Sequence, residues 1–78
     1  MSYHKLNFHA LYNYLMDKGF WIRQKRSLIA DIYNCYICIE ITNNENIIHW
    51  VEPRNATMKD ICKATTYLEE IIKEIKNA

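Results

Sequence analysis

Cys35-Tyr36-Ile37-Cys38-Ile39-Glu40-Ile41-Thr42 is the stretch on which the reading of the fold turns. Its apolar residues keep a period of two over a full strand length. Cys35, Ile37, Ile39 and Ile41 therefore fall on one side of a pleated chain, and Tyr36, Cys38, Glu40 and Thr42 on the other. The segment reads as a central strand, with the rest of the chain pairing with it or packing on its isoleucine side.

Turn-forming residues bound it. Asn34 supplies a turn before it and Asn43-Asn44-Glu45-Asn46 a turn after it, because Asn tolerates positive φ and competes for backbone hydrogen bonds. Beyond the second turn, Ile47-Ile48-His49-Trp50-Val51-Glu52 reads as the last strand, stopped by Pro53, which has no N–H to donate. Before the first turn, 27–34 is ambiguous between a strand and a helical turn; the alternation of Leu28, Ala30 and Ile32 favours strand. Phe20-Trp21-Ile22-Arg23-Gln24-Lys25 passes from aromatic to polar and opens the sheet.

Helices close both ends. From a Ser2 N-cap to Lys18, Phe8, Leu11, Tyr12 and Leu15 stand at i, i+3, i+4 and i+7, an amphipathic pattern widened or flanked by Ala10, Tyr14 and Met16. Gly19, the only glycine, follows as a left-handed C′ residue, with Phe20 folding back on Leu15. Thr57 and Asp60 have the spacing of a capping box, which makes the Asn55-Ala56-Thr57 triplet a helix start rather than a glycosylation site. A long helix then runs to about Lys76. Ile61, Thr65, Leu68, Ile72 and Ile75 form its stripe, with Met58, Ala64 and Ile71 alongside.

The expected architecture is a two-layer α+β domain spanning 1–78, α-β(3-4)-α, with an antiparallel meander and both helices packed on one sheet face. A chain near this size buries only about 60% of the surface it would expose unfolded, enough for one core. Half of its 78 residues are hydrophobic and glycine and proline occur once each, so an ordered chain is expected. No apolar run approaches the roughly 20 residues of a membrane helix, and the start lacks the apolar block of a signal peptide. Cytoplasmic placement with no membrane partner is the expectation, with three reduced thiols.

Catalytic signals are lacking. His4, His9 and His49 are far apart, and no spacing sets a Ser, Cys or carboxylate beside any of them as nucleophile or base. Cys35-Tyr36-Ile37-Cys38 matches C-x-x-C, but within a strand residues three apart point to opposite faces, whereas a redox pair or zinc knuckle needs a turn or helix start. The cysteines read as small buried hydrophobes, and no enzyme activity, cofactor or metal is expected.

Charge is segregated although the net is only +1. Residues 1–30 carry a net of +4, residues 31–52 a net of −4, and residues 53–78 a net of +1. Arg23, Lys25 and Arg26, joined by Arg54, Lys59 and Lys63, form a candidate phosphate-contacting set. The overall charge suits neither a general nucleic-acid binder nor an acidic DNA mimic.

Two resemblances bear on this. The helix, strands, helix order resembles a double-stranded RNA-binding domain, with Lys59-Asp60-Ile61-Cys62-Lys63-Ala64 standing where that family begins its basic second helix. The Gly-Pro-His loop of that family is absent. Leu15-Met16-Asp17-Lys18-Gly19-Phe20 with Arg23-Gln24-Lys25 is similar to the opening of HicA-type messenger-RNA-cleaving toxins. Those continue Gly-Ser-His, where this chain has Arg26-Ser27-Leu28, so RNA cleavage does not carry over.

The function expected from the sequence is a small non-enzymatic binding protein of phage or mobile-element type. It would bind and modulate or inhibit a host protein through the sheet face away from the helices, using Trp21, Tyr36, Glu40 and Trp50. The isoleucine-rich, valine-poor composition is that of an AT-rich coding sequence. RNA is the alternative partner, and a homodimer through the sheet face or the C-terminal helix the self-association expected.

Overall fold

A computed structural model describes residues 8–24, 26–44 and 46–77. Its elements follow the order α1 (Phe8–Asp17), β1 (Trp21–Gln24), β2 (Ser27–Ile32), β3 (Cys35–Ile41), β4 (Ile47–Pro53) and α2 (Met58–Lys76). The four strands make one antiparallel sheet in sequence order. Segment 27–34 thus resolves as a strand followed by a turn, and the α+β meander is as the alternation requires.

Register sorts the side chains. Ile37 lies between Ala30 and Val51, and Ile39 between Leu28 and His49. This layer carries Cys35, Ile37, Ile39 and Ile41 into one buried cluster with Leu11 and Leu15 of α1 and Ala64, Leu68, Ile71, Ile72 and Ile75 of α2. Both helices therefore lie on the isoleucine side of the sheet. Burying one such side chain fully contributes about 1.5–3 kcal/mol, so this layer dominates the stability.

Local chemistry explains the boundaries. At the end of α1, Phe20 N–H donates to the Leu15 carbonyl and Gly19 N–H to that of Met16, both at 3.0 Å, a Schellman closure with Gly19 at φ +94°. Leu15 and Phe20 are both buried. Tyr33 and Asn34 take φ of 55° and 56°, the geometry of a two-residue type I′ hairpin, which Asn accepts far more readily than Tyr. At α2, the Thr57 hydroxyl accepts from Asp60 N–H and the Asp60 carboxylate from Thr57 N–H, both at 3.1 Å. Asn34 Nδ2 donates to the same Asp60 at 3.2 Å, tying the β2–β3 turn to the helix start.

Several expectations shift. The Ser2 cap and the first turn of the expected helix lie outside the described residues, as does the side chain of Phe8. Pro53 belongs to β4 instead of stopping it, pairing with Cys35, and Arg54 N–H still donates to Asn34 at 2.9 Å. The α2 stripe is rotated slightly from the expected one: Thr65 is exposed and Met58 is 75% exposed, while Ala64 and Ile71 are buried. A small residue at position 64 lets the helix approach the sheet, and that sets its phase. Among the described residues, no helix is long and apolar enough to cross a membrane.

Candidate functional site

The sheet face away from the helices is built from the other half of each alternation. Trp21 pairs with Ile29, Ile29 with Cys38 and Cys38 with Trp50, so these four side chains form a row across all four strands. Ser27, Glu40 and Ile48 make the next row, and Asp31, Tyr36 and Glu52 the row on the other side. Of the four residues expected to mark a binding surface, Trp21, Tyr36, Glu40 and Trp50, all lie on this face. Trp21 is 43% exposed, and the other three are half-buried. His49 is exposed on the opposite, helix-bearing side, beside Ile39.

The face is drier than its alternation suggests. Cys38, Ile29 and Ser27 are buried, roofed by long side chains from neighbouring strands. Glu52 is the hub. One carboxylate oxygen accepts from Trp50 Nε1 at 2.7 Å, from Arg23 Nη1 at 2.9 Å and from the Cys38 thiol at 3.5 Å. Arg23 also reaches Cys38 Sγ at 3.7 Å. These bonds hold the Trp50 ring and the Arg23 guanidinium over the centre of the sheet. Around them lies a small cavity of about 190 Å³ lined by Gln24, Ser27, Ile29 and Glu40 together with the hub residues.

Electrostatics follow from this packing. Burial pushes the Cys38 thiol up to about 11, with Glu52 adding both its charge and its hydrogen bond. A thiol held protonated is a poor nucleophile. The hydrogen bonds from Trp50 and then Arg23 hold Glu52 below the usual carboxylate range. Cys35, on the core side, is likewise raised by burial. Cys35 and Cys38 are the buried small hydrophobes expected, and they point to opposite faces; Cys62, by contrast, is exposed.

The described basic residues are not gathered into one patch. Arg26 donates to the Ile41 carbonyl at 3.0 Å, at one end of the sheet. Arg54 is at the other end, stacked over the Tyr36 ring at 4.4 Å, hydrogen-bonded to the Tyr36 hydroxyl and 3.9 Å from Asp31. Six strand steps separate these ends, about 20 Å. Lys59 and Lys63 are exposed on α2, with Lys63 over Tyr33 at 5.9 Å. Lys25 lies outside the described residues.

Sequence reasoning missed Ile48, 48% exposed on this face beside Glu40, and Glu52 as the organiser. Ile48 was legible: alternation with Ile47 and Val51 sends it to the face of Trp50. The long-range pairing of Glu52 with Arg23 was not. Compared with protein-family models, curated proteins and solved structures, the chain matches none.

Proposed function

We propose that this chain is a non-enzymatic binding protein that docks a host protein on the helix-free face of its sheet and modulates it. One observation carries the reading. Exposed Trp21 and Ile48 border a buried floor of Ile29 and Cys38 on the face that, among the described residues, no helix covers. Aromatic and apolar groups set around a preorganised centre supply most of the binding energy in protein interfaces. Glu52 holds Trp50 and Arg23 in place before any partner arrives, which lowers the entropy lost on docking. The Cys38 thiol, although it donates to Glu52, is held protonated by burial, which supports binding over catalysis.

RNA binding has weaker support. Arg23 and Arg54 each face an acid of the same chain, and Arg26 and Arg54 lie at opposite ends of the sheet.

The test is affinity capture from the native host with the wild-type chain, followed by Trp21→Ala, Ile48→Ala and Trp50→Ala, with Met58→Ala on the helix side as control. A partner retained by the control and weakened about tenfold or more by the three sheet variants is the expected result. A partner held equally by all four variants refutes the surface. Binding to duplex RNA that falls steeply with salt supports the RNA reading instead.

A further inference from the structure

The outer edge of β4 is unlike the outer edge of β1. β1 is four residues long and its register slips between Ile22 and Gln24. Such irregularity, with Arg23 and Gln24, is how sheets protect an edge from pairing with another chain. β4 runs seven residues in unbroken register, and Ile47–Val51 carries no charge.

Two hydrogen bonds fix which backbone groups of β4 face outward. Arg54 N–H donates to Asn34 at 2.9 Å and Thr42 N–H to Asn46 at 2.8 Å. In an antiparallel ladder such pairs recur every second residue, so Ile48, Trp50 and Glu52 turn their backbone groups toward β3. Ile47, His49, Val51 and Pro53 turn theirs away. Pro53 therefore sits where its missing N–H costs the ladder nothing. Among the described residues, no group bonds to the outward N–H and C=O of Ile47, His49 and Val51.

We propose that this edge pairs antiparallel with the β4 edge of a second copy, with His49 on the two-fold axis, joining the two sheets into one of eight strands. In this register Ile47 opposes the second copy's Val51 and His49 opposes the second copy's His49. All three outward N–H groups and all three carbonyls are then paired on each chain. Displacing the axis to Trp50 sets Ile47 against Pro53, which has no N–H to give, and Glu52 against Ile48. Displacing it to Ile48 leaves Val51 facing beyond the strand. The His49 register also sets exposed Ile48 beside the second copy's Trp50 on the helix-free face, an aliphatic and aromatic cross-strand pair. The docking face stays open on both copies, but Ile48 and Trp50 also border this seam, so Trp21 is the docking residue that separates the two readings.

Sedimentation equilibrium of the intact chain, with His49→Pro and His49→Glu, tests it. His49→Pro removes one outward N–H per copy and leaves the bonds to β3, which use Ile48 and Trp50. His49→Glu puts two carboxylates on the axis and keeps the backbone, so it carries the test where the proline variant fails to fold. The wild type is expected to dimerise, each folded variant to dimerise roughly tenfold or more weakly, and Trp21→Ala to leave the dimer unchanged. In a Cys62→Ser background, oxidised His49→Cys forms an interchain disulfide, since directly opposed hydrogen-bonded residues have Cα atoms about 5.5 Å apart. A wild type that stays monomeric at roughly 100 µM, or a dimer indifferent to His49→Glu, overturns the proposal.

Discussion

At the scale of single residues, Glu52 does most to make the helix-free face a surface with a fixed shape. It accepts from a ring nitrogen, a guanidinium and a thiol at one oxygen, and those three groups come from β1, β3 and β4. Replacing it with Gln removes the charge beside Cys38. The Cys38 pKa is then predicted to fall from about 11 toward its ordinary value, because Arg23 no longer answers to a carboxylate and favours the thiolate. A thiol titration followed by the Cβ NMR shift reads this, and an unmoved pKa contradicts the arrangement. Glu52, Asp60 and Glu74 all ionise more readily folded than unfolded, Glu52 chiefly through Trp50, Asp60 through the Thr57 backbone and Glu74 through Tyr14. Their stabilisation is complete above the unfolded carboxylate values of about 4 and is lost as pH falls through the lower folded values. Urea midpoints measured from about pH 7 down to about pH 3 should decline in that window, and less steeply in Glu52→Gln. In the sequence Glu52 is one of several strand acids. Its spacing of two from Trp50 shows that they share a face, as does the spacing of Arg23 from Trp21, but that Arg23 reaches Glu52 across the sheet depends on the pairing of four strands, which no local pattern announces.

At the scale of elements, the ends are set by backbone demands. Thr57 and Asp60 hold the start of α2, and Thr57→Ala is predicted to destabilise the protein by about 1 kcal/mol in urea unfolding. Gly19 ends α1 at a φ that disfavours any side chain, although a Cβ there meets nothing within 4 Å. Gly19→Ala therefore isolates conformational strain from packing, and a loss of about 1 kcal/mol is expected. Both features were legible because they rest on residues adjacent in sequence. The place of Pro53 in β4 was not: whether a proline ends a strand depends on which way its missing N–H would point, and that follows from pairing with Cys35. Likewise the α2 repeat admits several faces, and contact with the sheet selects the one carrying Ala64 and Ile71 over Thr65. The helices are joined where Tyr14 donates to Glu74, with Lys18 3.6 Å from it. Burial first, and then Glu74, keeps the Tyr14 hydroxyl protonated well above its usual range.

For the whole molecule, the two sheet faces have different work. The centre of the isoleucine face is buried beneath both helices, so Ile37→Ala is predicted to cost about 2–5 kcal/mol, a large part of the roughly 5–15 kcal/mol available to a domain. Among the described residues no second layer covers the other face, and truncating Ile48 there is predicted to change stability by no more than about 0.5 kcal/mol. The period-two pattern of 35–42 foretold this division; it did not foretell that Arg23, Trp50 and Glu52 roof the middle of the bare side, because roofing brings together side chains of β1 and β4, the two outermost strands. The central claim is that a partner lies on that side. Photo-crosslinking inside the native host tests it most directly, with a benzophenone side chain placed at Trp21 in one variant and at Met58 in another. The Trp21 position is predicted to capture a defined protein that the Met58 position does not; capture from Met58 alone, or from neither, contradicts the account.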